Sequence, residues 1–204
     1  MAIPVAMVLG AALGATAWLS DVTDHPWSVL IPANTIAAWA LVAFAAGTVG
    51  WSVVGGAARG QIALVTAVVI YYLGYALFGE GWRSASAVRA ATIWGALALV
   101  AGPGLGLAGG VWRRGPPALR AMAVGVPSGI LVVEGWLTLD PLQRDPNAAL
   151  VSVAEILLGT ALPIVAARGG PRLLALGSAA LVALATVVGL VVVIPGLRSA
   201  ASTF

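Results

Sequence analysis

The sequence predicts an all-α fold: a polytopic integral membrane bundle of seven transmembrane helices, one domain over residues 1–204, with its N-terminus cytoplasmic. Three observations lead there. The chain is 61% hydrophobic and only 8% charged, whereas a soluble domain carries about 25% charged residues. Its mean hydropathy is +1.04. Its apolar residues fall into runs of about 17–25, the length that crosses a bilayer as a helix.

The runs come in order at residues 3–19, 34–54, 61–78, 89–112, 119–138, 148–167 and 173–194. The first carries Gly10 and Gly14, a spacing that lets helices approach closely. Its Ala15-Thr16-Ala17 resembles a signal-peptidase site, but no basic segment precedes it, so the helix is expected to be retained. The second begins at Asn34, a natural N-cap, and holds Trp39. The third carries Tyr71, Tyr72 and Tyr75. The fourth holds Trp94 and the Gly102-Pro103-Gly104 interruption, followed by the Gly106 and Gly110 pair. Pro103, Pro127 and Pro163 are expected to kink the fourth, fifth and sixth helices. Packing explains Gly102-Pro103-Gly104 better than a true helix break of the kind transporters use to bind substrate. The fifth combines Gly125 and Gly129 with Glu134 and Trp136, the sixth contains Glu155, and the seventh has no acid. Connectors are expected at Ser20–Ala33, Gly55–Gly60, Gly79–Val88, Arg113–Ala118, Leu139–Asn147 and Arg168–Arg172.

Arginine asymmetry sets the orientation. Arg59, Arg113, Arg114, Arg120, Arg168 and Arg172 mark one side; Arg83, Arg89, Arg144 and Arg198 mark the other. The positive-inside rule makes the first set cytoplasmic, in a multi-pass protein of the bacterial inner membrane. The ten basic residues are all arginine and give a net charge of +3. They lie singly or in pairs between apolar runs, which argues against a nucleic-acid partner. There is no cysteine, and His25 is the lone histidine. No metal and no cofactor are therefore expected. Asp24-His25-Pro26 lies in a loop, and without a Gly-x-Ser-x-Gly elbow it does not suggest a hydrolase.

The acids carry the functional argument. An ionisable residue at membrane depth is costly and marks a candidate site by default. Glu134 lies about one helical turn, and Glu155 about two turns or roughly 10 Å, below the outer surface. Asp21 and Glu80 mark the same side. Asp21 and Glu80 are explained by snorkelling or by pairing with Arg83, Arg89 or Arg144, whereas Glu155 lies too deep for that. Trp18, Trp27, Trp39, Trp82, Trp94 and Trp136 fall on the acidic side with the three tyrosines; only Trp51 and Trp112 fall on the other. A plain aromatic belt populates both interfaces, so the skew suggests an aromatic-lined cavity. Trp18 with Asp21, Glu80 with Trp82 and Glu134 with Trp136 also form a weak repeat, which coincidence explains as well. The candidate catalytic residues are thus Glu134, Glu155, Asp21 and Glu80. The candidate substrate-binding residues are Trp18, Trp39, Tyr71, Tyr72, Trp94 and Trp136.

A carboxylic acid held neutral in an apolar site can donate a proton, and aromatic faces stabilise a cation. Together they suit protonation-initiated cyclisation of an isoprenoid epoxide or olefin entering from the bilayer, without metal. In size, helix count and the placement of these acids among aromatics, the chain resembles the membrane-bound terpene cyclases of bacterial indolosesquiterpenoid pathways. It is similar also to the seven-helix fungal meroterpenoid cyclases, which have essential acids. That resemblance implies an isomerase-type activity on a lipophilic isoprenoid and carries over no residue role. The runs Trp18-Leu19-Ser20-Asp21, His25-Pro26 and Gly102-Pro103-Gly104-Leu105-Gly106 through Trp112-Arg113-Arg114-Gly115 also resemble an uncharacterised family of high-GC bacterial membrane proteins, which implies no function. The strongest rival reading is a small-solute binding or transport protein, such as a substrate-capture subunit of an energy-coupling-factor importer. Gly10, Ala11, Gly14 and Ala15 would then meet a partner. A structural or immunity-type protein is the third. A homo-oligomer is compatible with all of them.

Overall fold

A computed structural model of the chain describes residues 2–22, 35–78, 85–139, 146–166 and 171–202. Among them the backbone forms seven helices and no strand: α1 (Ala2–Val22), α2 (Ile36–Thr48), α3 (Val53–Phe78), α4 (Ala85–Arg114), α5 (Pro117–Thr138), α6 (Pro146–Ala166) and α7 (Arg172–Ser202). By length and composition α1, α3, α4, α5 and α6 can each cross a membrane. Large apolar side chains such as Leu77, Val100, Leu157 and Leu181 point outward. A surface this apolar suits lipid rather than water.

The core is built from alanine and glycine. α1 packs on α3 and α3 on α4, with α2 laid across all three; α6 and α7 pack on α5. The two groups meet where α5 touches α4 and α2. The three glycine pairs expected to mediate packing all lie at such contacts. Gly10 and Gly14 face Ala63 and Ala67, Gly106 faces Gly56 and Gly60, and Gly125 and Gly129 face Ala179 and Ala183. α4 runs unbroken through Pro103.

Two sequence expectations fail here for related reasons. The expected connector Gly55–Gly60 is helical and belongs to α3. Its glycines read as turn residues, but Gly56 and Gly60 lie against the backbone of α4 at Gly106 and Gly102. The second span, expected over residues 34–54, is only 13 residues long. Val49 is extended, and Gly50 adopts a left-handed φ of 88°. Glycine enters that region without steric cost, so the helix stops there.

These glycine contacts make a paired prediction. A Cβ on Gly106 would fall 2.8 Å from the Cα of Gly60, whereas one on Gly104 meets nothing within 4 Å. Gly106→Ala should therefore destabilise the protein by about 1–3 kcal/mol. Gly104→Ala should be neutral or stabilising by up to about 1 kcal/mol. Thermal unfolding in detergent measures both, and equal effects at the two positions would contradict the packing described.

The shortness of α2 shapes everything else. Thirteen residues rise about 20 Å, against a hydrocarbon core of about 30 Å. The unsatisfied N–H and C=O groups at its ends therefore need partners from the protein. At the N-terminus the Thr35 hydroxyl accepts from the Ala38 N–H at 3.2 Å. The Glu134 carboxylate accepts from the Ile36 N–H at 2.8 Å and from the Ala37 N–H. At the C-terminus Arg59 Nη2 donates to the carbonyls of Gly47 (3.3 Å) and Ser52 (3.0 Å), and Arg114 Nη2 donates to that of Thr48 (3.3 Å). The helix is held between an anion at its positive end and two cations at its negative end, the arrangement its dipole favours.

Candidate functional site

The acidic end of the bundle is assembled by a close approach of α5 and α6. A Cβ on Gly135 would lie 2.9 Å from Ile156 Cγ1 and 3.1 Å from Glu155 Cβ, so only glycine allows the two backbones to meet there. Three residues on, Thr138 Oγ1 and Ser152 Oγ hydrogen-bond at 2.9 Å. Glu155 follows Ser152 by three positions, which places both on one helix face. This face points inward: Ser152 is 1% and Glu155 5% exposed. The Thr35 hydroxyl, at the head of α2, donates to the Glu155 carboxylate, and Glu134 lies close enough for the two charges to interact.

Thr35 is also where the acids meet the aromatics. A cavity of about 200 Å³ is lined by Thr35, Ile36, Trp39, Tyr71, Tyr72 and Trp94. The Trp39 ring lies 6.3 Å from Trp94 and 6.4 Å, edge-on, from Tyr71. Tyr71 in turn stands edge-on to Tyr72 at 5.0 Å and to Tyr75 at 5.3 Å. These spacings are those of interacting aromatic pairs. The Tyr71 and Tyr75 hydroxyls both donate to Asp21 at the end of α1, the second at 3.2 Å. Asp21 therefore ties α1 to the ring cluster from its exposed side.

Six of the ten residues singled out from the sequence thus join one network, with Glu134 attached through the head of α2. Trp39, Tyr71, Tyr72 and Trp94 line the cavity, Glu155 reaches it through Thr35, and Asp21 braces Tyr71. Three others do not join it. Trp18 packs between α1 and α3, against Gly74 and with its ring 5.4 Å from Phe78. Trp136 is 72% exposed, because it lies about 100° round the helix from Gly135, the residue that meets α6. Glu80 lies outside the described residues. The sequence reasoning also missed Thr35. It placed the helix cap at Asn34, and no Glu or Gln three residues after Thr35 signals a capping box; the carboxylate comes instead from Glu134, 98 positions from Ile36.

What this end offers chemically is three carboxyls, a threonine that bonds one acid and lines the cavity, and a wall of π faces. Among the described residues no group of three or more His, Cys, Asp or Glu could hold a metal. No curated protein and no solved structure matches the chain. A family model does match, across residues 1–194, and the chain belongs to that family, described as one of unknown function (DUF6518).

Proposed function

We propose that the protein is a membrane-embedded terpene cyclase that protonates an isoprenoid epoxide or olefin at the acidic end of the bundle. The observation that supports this reading is the continuous path from buried Glu155 through the Thr35 hydroxyl into the cavity of Trp39, Trp94, Tyr71 and Tyr72. In this reading Glu155 takes up a proton before turnover, and the hydrogen bond with Thr35, donated by the hydroxyl to the ionised carboxylate, reverses so that the carboxyl O–H donates to Thr35 Oγ1. The Thr35 hydroxyl proton passes to the epoxide oxygen. The C–O bond breaks, leaving a carbocation, and the π pair of a neighbouring double bond forms the new C–C bond. The final cation loses a proton, which returns to the Glu155 carboxylate. The sum is an isomerisation. The aromatic faces shield the migrating charge, and only the reacting end of the substrate enters the cavity while its chain stays in lipid. All seven helices then cross or enter the inner membrane with the N-terminus cytoplasmic, and the site opens toward the outer leaflet.

The experiment is to incubate the purified protein in detergent with epoxidised prenyl substrates and look for products of unchanged mass and altered retention. Cyclised product supports the reading, and full activity in both Glu155→Gln and Glu134→Gln would remove acid catalysis from it. One observation favours a second reading, capture of a small solute by a transport subunit. A cavity of about 200 Å³ is smaller than the roughly 300–1,000 Å³ of most ligand pockets. Tight binding of a small heteroaromatic cation, with no turnover of any prenyl epoxide, would favour that reading.

A further inference from the structure

At the opposite end of the bundle from the acids, three arginines face one large hollow. It measures about 930 Å³ and is lined by Arg59, Arg113 and Arg114 together with the Gly50–Ser52 turn and the start of α1. Arg59 comes from the second turn of α3 and is only 7% exposed. Its Nη2 is used on the carbonyl of Gly47 at the end of α2 and on that of Ser52 just before α3, and Arg114 uses its own Nη2 on that of Thr48. Each guanidinium then has a buried donor left over: Arg59 Nε and Arg114 Nη1 have no hydrogen-bond partner among the described residues. Two like charges therefore stand near one another, each with an unanswered N–H. Buried donors are almost always satisfied, and an unpaired buried charge is among the costliest arrangements a fold can carry.

Nothing described in the protein supplies the missing negative charge. The described carboxylates, Asp21, Glu134 and Glu155, are engaged at the other end. α3 also begins here, its first turn capped by Ser52 Oγ, which accepts from the Gly55 N–H at 3.1 Å. Its dipole adds positive potential. On the rim Trp51 is 97% exposed, in the manner of a side chain that anchors at a headgroup layer.

We propose that this hollow is a binding site for a phosphate-bearing anion, held by the guanidinium groups of Arg59 and Arg114, whose positive charge no described carboxylate answers, and by the Arg113 side chain. The guanidinium fork matches phosphate oxygens in geometry as well as charge, and basic pockets between helices on one face of a membrane protein suit anionic lipid headgroups. The phosphate can come from such a headgroup or be free in solution; the recognition chemistry is the same.

The test uses the full chain, purified and stripped of lipid in detergent. Thermal unfolding is followed by tryptophan fluorescence against added phosphatidylglycerol, phosphatidylcholine, inorganic phosphate and chloride at matched ionic strength. Stabilisation by phosphatidylglycerol alone identifies a lipid headgroup. Stabilisation by inorganic phosphate alone identifies a soluble anion, and a response to both means that the phosphate group suffices. Arg113→Gln, at an exposed position outside the α2 contacts, keeps the fold. It should weaken the effective ligand about tenfold or more, as expected for one charge-assisted hydrogen bond. Arg114→Gln should weaken it further. If phosphatidylglycerol does not exceed zwitterionic phosphatidylcholine and inorganic phosphate does not exceed chloride, or if Arg113→Gln and Arg114→Gln both respond as the wild type does, the site does not exist.

Discussion

Glu155→Gln is expected to abolish product formation in the cyclisation assay while leaving the unfolding temperature close to that of the wild type. The glutamine keeps the shape and can still accept from the Thr35 hydroxyl, but it has no acidic proton to give. Loss of a positioned general acid costs about 10²–10⁴ in rate. The relay adds a second, sharper test at Thr35, whose side chain touches both Glu155 and the cavity. Thr35→Ser retains the hydroxyl and should keep most of the activity. Thr35→Val retains the volume without the hydroxyl and should behave like Glu155→Gln. It also removes an N-cap, which costs about 1 kcal/mol, so its unfolding temperature should fall slightly while its rate falls by orders of magnitude. Equal activity in the serine and valine variants would break the proposed proton path.

The second large effect is one of stability. Glu134→Gln should destabilise the protein by about 2–4 kcal/mol, read as a marked drop in unfolding temperature. Glu134 presents two oxygens to two backbone N–H groups, those of Ile36 and Ala37. A glutamine has one carbonyl oxygen for the pair, and its amide N–H₂ would then face a backbone donor. The charge that offsets the positive end of α2 disappears as well. The contrast between the two acids is the informative result: loss of rate without loss of stability at Glu155, and loss of stability at Glu134. A reversal of that pattern would exchange their roles.

How far the sequence could be read depends on whether a signal is local. Run lengths located α1, α4, α5 and α6 to within about four residues but missed the first eight residues of α3, whose glycines read as a turn. Gly10, Gly14, Gly106, Gly110, Gly125 and Gly129 announced close packing because that spacing repeats on one helix face. The grouping of Trp39, Trp94, Tyr71 and Tyr72 was legible as a skew of aromatics towards one end. The truncation of α2 was not. Its apolar character continues past Thr48 to Val54, and only the backbone at Gly50 ends it. Nor was the division of labour between Glu134 and Glu155, since that depends on which acid meets the head of α2 across a separation of nearly a hundred residues. Trp136 shows the opposite failure: proximity in sequence to Glu134 suggested the cavity, while the helical rotation between them turned the ring outward.

The brevity of α2 bears on how the chain is assembled. A segment of 13 apolar residues falls short of the roughly 20 that insert as an independent span, and the groups that complete its ends are synthesised later. Arg59 follows soon after, Arg114 only with the end of the fourth helix, and Glu134 only with the fifth. Until those arrive, α2 has open backbone groups and no reason to hold its depth. Its docking therefore belongs among the late events of biogenesis, and both pockets, at the acidic and the arginine end, take their final form in that one step.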